Sequence, residues 1–226
     1  MHNPAGSDPS LFRILPFHRV VQLFETCRLH FAPPASWADP FETKLKHPNA
    51  TRIFAQCWCK KGVSDAMWRI YSPDSLGVRI RTTRPLLQAT LASAAKQVNA
   101  RILVKRVRYL PESELSNQLE AIADELYQSY SVRLACEPLF MKRRAFHHEA
   151  EVRAVAYVPQ DSSTDLSQGL KVPCDPHTLV QSVLVDPRAP KEFVQAYRYY
   201  LREKLGFAGR VAQSALYAET EPLEVL

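Results

Sequence analysis

Glutamate and arginine side chains in the segment 146–157, FHHEAEVRAVAY, are the residue types best suited to acid–base chemistry in this sequence. Successive side chains of a strand alternate between its two faces, so a strand here would place Glu149, Glu151 and Arg153 on one face. Two adjacent carboxylates repel each other, and this repulsion raises the pKa of one of them toward a value that suits acid–base catalysis. The arginine would form an ion pair with the other carboxylate. The same row also suits a solvated sheet face, where each exposed ion pair contributes about 0–1 kcal/mol. The sequence leaves both interpretations open.

Aromatic and cationic side chains form further candidates. Trp68 and Tyr71 are three residues apart, so on a helix they would share one face. They would either pack in the core, as large aromatic residues commonly do, or form a stacking wall for a base or a nicotinamide ring. His18 and Arg19 place cationic groups at the start of a predicted helix. In the aromatic-rich loop WADPFE, Asp39 would brace the turn.

Motifs for nucleotide cradles, nucleophiles and metal centres are absent from the sequence. The six glycines form neither G-x-G-x-x-G nor a P-loop, so any phosphate would be held mainly by side chains. No nucleophile elbow such as G-x-S-x-G occurs. Cys57 and Cys59 could face one metal from a strand, but a zinc site needs two further ligands at a recognisable spacing. We therefore predict no metal and interpret the five cysteines as reduced thiols.

Basic residues are concentrated in one part of the chain. The formal net charge is +6, and the range 75–111 contains no acidic residue. Such asymmetry favours a phosphate-bearing partner. The residues that would bind a nucleic acid are Arg79, Arg81, Lys105, Arg106 and Arg108. The alternative is a sheet edge whose charges discourage pairing with other chains.

The composition is that of a globular protein, with 226 residues of which 46% are hydrophobic and 23% charged. This length predicts a single domain over 1–226. No apolar run approaches the ~18 residues of a membrane helix, so we expect no membrane association. Residues 1–10 lack the basic start and apolar stretch of a signal peptide. We expect that segment to be disordered and the protein to be cytoplasmic.

Hydrophobic periodicity predicts helices and strands in mixed order. The expected helices cover 19–26, 64–71, 85–99, 112–135 and 190–205, and the expected strands cover 28–32, 52–59, 77–82, 100–109, 149–158, 179–185 and 210–217. In the strand at 77–82, Val78 and Ile80 should point inward and Arg79 and Arg81 outward. This order indicates an α+β fold, with one mixed, mostly antiparallel sheet and flanking helices in a single domain.

Four segments, taken together, resemble a known family. They are FHR at 17–19, LHFAPPASWADPFE at 29–42, MWRIY with GVRI at 67–71 and 77–80, and FHHEAEVR at 146–153. The pattern is similar to that of a bacterial domain-of-unknown-function family, number twenty-nine seventy-one. The resemblance runs from about Phe17 to Tyr157, and DPFE is its most specific part. The family name implies no activity.

The layout also resembles that of ADP-ribosyltransferases, in which an early basic residue, a central aromatic or serine and a late E-x-E motif occur in this order. This resemblance implies an ADP-ribosyltransferase-like fold with NAD as the substrate. Glu151 would stabilise the positive charge that develops on the ribose as nicotinamide leaves, with Glu149 as its partner. The implied cofactor-binding residues are His18, Arg19, Trp68, Tyr71 and Arg153. The S-T-S motif of one transferase branch is absent.

The resemblance thus implies an NAD-dependent ADP-ribosyltransferase or NAD glycohydrolase that acts on an unknown acceptor, in a toxin or phage-defence role. The alternative is a nucleic-acid-binding or nucleolytic module that uses the basic face, and a third hypothesis is a scaffold without activity. The enzyme hypothesis predicts that Glu151→Gln abolishes activity. The binding hypothesis predicts that charge reversal at Arg79, Arg81 and Arg106 matters more.

Overall fold

The computed structural model describes residues 10–160, 162, 165–218 and 220. The helices are α1 Phe17–Thr26, α2 Asp65–Tyr71, α3 Arg84–Ala95, α4 Glu112–Gln128, α5 Val132–Ala135, α6 Pro176–Leu179 and α7 Lys191–Tyr199, which continues as a π-helical turn over Tyr200–Lys204. The strands are β1 Ser10–Pro16, β2 Arg28–Phe31, β3 Ile53–Cys59, β4 Gly77–Thr83, β5 Arg101–Arg106, β6 Arg108–Leu110, β7 Met141–Arg143, β8 Glu151–Tyr157, β9 Leu170–Pro173, β10 Ser182–Val185 and β11 Arg210–Gln213. Among these residues, no helix combines the length and the hydropathy that a membrane span requires.

A seven-stranded sheet forms the centre of the fold, in the order β11-β10-β4-β1-β3-β8-β5. All neighbouring strands in it are antiparallel except β10 and β11. Two small sheets accompany it: β2 pairs antiparallel with β9, and β6 pairs parallel with β7. Helices lie beside this mostly antiparallel sheet, so the predicted α+β class is confirmed.

The central sheet is split between β1 and β3. Their register consists of the single pair Phe12 and Cys59, whereas β1 and β4 are paired along the whole of β1. Beyond the split, β3 bonds instead to the residue after β2, since Ala32 and Ala55 exchange both backbone hydrogen bonds. The gap between the two halves of the sheet is where both large cavities described below are found.

The main hydrophobic core lies on one face of the sheet. There Val78, Ile80 and Val152 are almost fully buried against the apolar sides of α1 and α3. Val78 and Ile80 therefore point inward, as their alternation with arginine predicts. Smaller clusters cover the opposite face, around Val155 on β8 and around Leu119 on α4. Charged side chains occupy the part of that opposite face that these clusters leave free.

Sequence analysis missed β1 and joined elements that the structure separates. The expected strand over 100–109 is interrupted at Val107, which is buried and whose N–H donates to the Glu151 carbonyl at 3.0 Å. The expected helix over 112–135 is split into α4 and α5, and the hydroxyl of Ser131 caps the second helix. Of the segment expected to be disordered, residues 1–9 lie outside the described residues, and Ser10 begins β1.

Candidate active site

A cavity of about 650 Å³ opens on the face of the sheet opposite α1 and α3. The ends of β1, β3 and β8 form its floor, because the register aligns Phe12 with Cys59 and Cys59 with Glu151. Helix α2 forms one wall, and the loop that contains Trp37 and Glu42 forms another. We call this cavity the cleft. A cavity of this size falls within the range of small-molecule sites.

Five charged side chains meet at the floor of the cleft. Arg153 donates two hydrogen bonds to Glu151, from Nε to Oε2 at 2.7 Å and from an Nη to Oε1 at 2.9 Å. Lys142 Nζ donates to Glu149 Oε2 at 2.5 Å and to Glu151 Oε1 at 2.9 Å. Glu42 completes the group through an ion pair with Arg153 and lies 3.8 Å from Lys142 Nζ. Two cations thus face three carboxylates.

The cluster is buried, and the interpretation of these residues as a solvated ion-pair row is wrong. Glu149 is 5% exposed, Glu151 6% and Arg153 1%. Charges withdrawn from water to this extent are costly unless hydrogen-bonded partners compensate them. The buried charge of Arg153 is stabilised by hydrogen bonds to Glu151 and to the Leu139 carbonyl, the latter at 3.0 Å. The carboxylates are stabilised less fully, because three of them share two cations.

This imbalance separates the pKa values of the two glutamates. Burial, followed by the hydrogen bond to Glu151, raises the pKa of Glu149 to about 7. Burial opposes ionisation of Glu151 as well, but the hydrogen bond and the charge of Arg153 outweigh it and hold the pKa of Glu151 far below its usual range. Burial raises the pKa of Glu42 despite Arg153 and Lys142. Glu151 is therefore a permanent anion, whereas Glu149 exchanges its proton near neutral pH.

Glu149 reaches the cluster by a route that alternation does not predict. The expected strand over 149–158 begins only at Glu151, and Glu149 ends a 3₁₀ turn over Arg144–Glu149. Between the two, Ala150 takes a left-handed conformation with φ of 45°. The two glutamates therefore do not share a strand face. They are brought together by Lys142, and the Tyr71 hydroxyl donates to Glu149 Oε1 at 3.3 Å.

Trp68 and Tyr71 both line the cleft from α2, where the hydroxyl of Ser64 caps the helix. Trp68 is 1% exposed, so it belongs to the packed wall, whereas Tyr71 is 43% exposed and presents its ring to the cleft. Burial and the nearby Glu149 carboxylate raise the pKa of the Tyr71 hydroxyl, which stays protonated. The core interpretation is confirmed for Trp68, and a stacking role for the accessible ring of Tyr71 stays a prediction.

The remaining predicted cofactor residues lie elsewhere. His18 and Arg19 are exposed on the first turn of α1 and do not line the cleft. Arg19 lines a second cavity on the other side of the sheet. Cys57 and Cys59 lie beneath the cleft, and burial raises the pKa of Cys57 to about 12. Among the described residues, no group of three or more histidine, cysteine or acidic side chains is arranged to hold a metal ion.

Sequence reasoning missed three residues of the site. Lys142 and Glu42 belong to the ionic cluster, and Trp37 stacks its ring at 4.4 Å from the Arg153 guanidinium. Glu42 carried a signal, because it is the last residue of DPFE. In the same motif Asp39 accepts from the Phe41 N–H at 3.1 Å, which confirms that it braces its turn. Lys142 carried no signal beyond its position in a basic cluster.

Comparison with known proteins supports the family resemblance. The model of the family described as "Protein of unknown function (DUF2971)" matches residues 67–154, the part of the chain that carries both aromatic residues of α2 and the E-x-E-x-R segment. No curated protein matches the chain significantly.

Solved structures of DarT from Thermus sp. 2.9 show distant similarity. The complex with carba-NAD⁺ is 13% identical, with 93% of this chain and 97% of that chain covered and a TM-score of 0.41. The complex with ADP-ribosylated single-stranded DNA is 10% identical, with 95% and 98% covered and a TM-score of 0.44. The complex with NAD⁺ is 12% identical, with 92% and 96% covered and a TM-score of 0.41. A similarity this distant does not place a ligand in this chain.

Proposed function

We propose that this protein is an ADP-ribosyltransferase-like enzyme that cleaves the bond between nicotinamide and ribose in NAD. The observation that carries the proposal is the pair of buried glutamates at the floor of an aromatic-walled cleft, with their pKa values pushed apart. Two carboxyl groups tuned in opposite directions suit transfer from a glycoside, since one stays ionised beside the ribose cation and the other can take a proton from the acceptor. NAD as the particular glycoside comes from the E-x-E resemblance.

Glu151 would stabilise the charge that develops as the bond breaks. When the C1′–N1 bond of NAD⁺ breaks, its electron pair goes to the nicotinamide nitrogen and the ribose becomes oxocarbenium-like. Because Arg153 and Lys142 keep Glu151 ionised at every physiological pH, an anion is already in place for this cation. Arg153 and Lys142 donate three hydrogen bonds to this carboxylate and fix its position at the floor of the cleft. The departing nicotinamide is neutral and needs no proton.

Glu149 would act on the acceptor. The nucleophilic oxygen of the acceptor forms the new bond to C1′ and loses its proton, which the Glu149 carboxylate takes up. A base with a pKa near 7 suits this step, because it is substantially ionised at neutral pH and still basic. With water as the acceptor the same step gives ADP-ribose, and with the hydroxyl group of another molecule it gives an ADP-ribosylated product.

The walls of the cleft suit the rest of the NAD molecule. The accessible face of Tyr71 offers a stacking surface for the cationic nicotinamide ring. Arg79 and Lys61 also line the cleft and would face the diphosphate. The Nε of Arg79 is buried without a hydrogen-bond partner among the described residues, and burial lowers the pKa of its guanidinium. A bound anion beside Arg79 would accept a hydrogen bond from this Nε and would stabilise the positive charge of the guanidinium.

We further propose a nucleic acid as the acceptor, because basic side chains continue from the cleft along the sheet edge. Arg106 and Arg108 are exposed on either side of Val107, whose N–H bonds the Glu151 backbone. Lys105 instead pairs with Glu137, and Arg81 bonds Ser10, so these two are less available. The proposal includes the toxin or phage-defence role that the family resemblance implies, and the cytoplasmic location that the sequence predicts.

The experiment is to incubate the purified protein with NAD, with and without single-stranded DNA or RNA, and to quantify free nicotinamide by chromatography. Glu151→Gln should abolish release, because the amide carries no charge to stabilise the ribose cation. The matched control is Glu120→Gln, which changes an exposed glutamate on α4 and should leave release unchanged. Thermal unfolding of each variant shows whether it is folded. Absence of release by folded wild-type protein under all conditions contradicts the proposal.

A further inference from the structure

A second cavity, of about 470 Å³, lies on the other side of the split sheet. Its floor is Arg13 on β1, and its walls are α1 and the small sheet of β2 and β9. We call it the rear cavity. Most of it lies on the core face, because Arg13 is paired with the buried Ile80, whereas the cleft lies mainly on the face of Phe12 and Cys59. Arg13 and Leu15 stand at the split of the sheet and line both cavities.

Cationic side chains surround the rear cavity. Arg28 and His30 alternate with buried apolar residues on β2, and Lys171 lies directly opposite His30 on β9. The three side chains therefore line one face of the small sheet, while Leu29 and Val172 point into the core. Arg19 adds a fourth basic group from α1. None of the described residues that line the cavity is acidic.

These cations have few partners. Within the described part of the chain, Arg13, Arg19, Arg28 and Lys171 take part in no ion pair closer than 4 Å. Arg19 bonds Gln22 at 2.9 Å. The charge of Lys171 contributes to lowering the pKa of Asp165, which is exposed. Burial, together with the charge of Arg19, lowers the pKa of Arg13. A partly buried arginine that faces other cations is a cost to folding unless an anion joins it.

We propose that the rear cavity binds a small molecule that carries a phosphate or diphosphate group, with Arg13, Arg19, Arg28 and Lys171 as its ligands. Guanidinium groups bind phosphate oxygens through two parallel hydrogen bonds, and several converge here. The volume exceeds that of a single phosphate, and Leu15, Leu23 and Ile80 provide apolar surface for a sugar or a base. Arg19, Arg28 and Lys171 do not line the cleft, so the proposal does not depend on the proposed function.

The test is isothermal titration calorimetry of the full chain with inorganic pyrophosphate at low salt, repeated with adenosine monophosphate. Both should bind, with an affinity that falls steeply as salt is added. Arg19→Gln and Arg28→Gln combined should weaken binding by at least about tenfold. Both residues are exposed, so the double variant should fold. Arg101→Gln, an exposed arginine on β5, is the matched control and should bind as wild type does.

Two further variants make the outcome decisive. Arg13→Met should unfold at no lower temperature than wild type, because it removes a poorly compensated cation, and pyrophosphate should no longer raise that temperature. Arg79→Gln, in the cleft, should remove at most any binding that the cleft contributes and should leave the binding that depends on Arg19 and Arg28. Binding that is lost in Arg79→Gln but kept in the Arg19 and Arg28 variant places the anion in the cleft and overturns the proposal. Absence of pyrophosphate binding overturns it as well.

Discussion

Replacing Glu149 by glutamine should stabilise the protein at pH 8, although it removes an ion pair with Lys142. The amide resembles the protonated carboxyl group in shape, can still accept from Lys142, and carries no charge. Burial and the neighbouring Glu151 raise the pKa of Glu149 from 4.5 to about 7. Because one pKa unit corresponds to about 1.4 kcal/mol, ionised Glu149 lowers the free energy of unfolding by roughly 3 kcal/mol.

The sign of the effect follows from linkage. A carboxyl group whose pKa is higher in the folded state stabilises the protein fully below its unfolded pKa and loses that contribution as pH rises through its folded pKa. For Glu149 the loss falls between about pH 4.5 and 7. The opposite contribution of Glu151, whose pKa is lowered, is lost only as pH falls below about 4.5. The two glutamates therefore act in separate pH windows.

Urea denaturation followed by tryptophan fluorescence, at intervals from pH 4.5 to 8, measures this effect. The difference in unfolding free energy between Glu149→Gln and wild type should start near zero and rise to roughly 3 kcal/mol in favour of the variant. Glu120→Gln should give a flat difference, because that glutamate is exposed. A Glu149→Gln protein that is less stable than wild type at pH 8 would refute the reasoning, since it would mean that Lys142 outweighs burial.

Three further outcomes follow from the same contacts. Nicotinamide release by the wild type should increase as pH rises through about 7, because Glu149 must lose its proton to act as a base; a pH–rate profile checks this. Arg153→Met should lower the free energy of unfolding by about 3–5 kcal/mol, measured with urea, because it leaves Glu42 and Glu151 buried with one cation fewer. Arg188→Ala should raise the KM for NAD more than it changes kcat, because the Arg188 guanidinium donates to the Trp68 and Ser72 carbonyls and holds the end of α2.

Local regularity explains which parts of the site the sequence predicts. Glu151 and Arg153 share a face because alternation is a property of any strand, and their neighbours in sequence suffice to show it. Glu149 breaks the rule because Ala150 adopts a positive φ, a conformation that favours glycine or asparagine and that alanine does not signal. Lys142 and Glu42 reach the cluster through tertiary folding alone. A single sequence holds no information on which distant residues meet.

The missed strand β1 has a more specific cause. Its core-facing residues are Leu11, Arg13 and Leu15, so an arginine stands where alternation requires an apolar residue. The pattern SLFRILP therefore does not show the period of a half-buried strand, although the strand is paired along its whole length with β4. Departures from local rules of this kind tend to occur at functional positions, because the fold accepts their cost for another reason.

Arg13 and Arg153 lie on strands of the same sheet, and their surroundings show why the fold accepts the cost of burying an arginine. Both guanidinium groups are withdrawn from water on central strands, and desolvation acts against the charge of each. Around Arg153 the chain supplies two carboxylates and a carbonyl, and the charge is stabilised within the protein. In the rear cavity the described residues place further cations and no carboxylate beside Arg13, which also lines the cleft. The protein thus provides hydrogen-bonded anions for Arg153 but no ion-pair partner within the described residues for Arg13. We therefore expect pyrophosphate to bind beside Arg13 and to stabilise the wild type but not Arg13→Met.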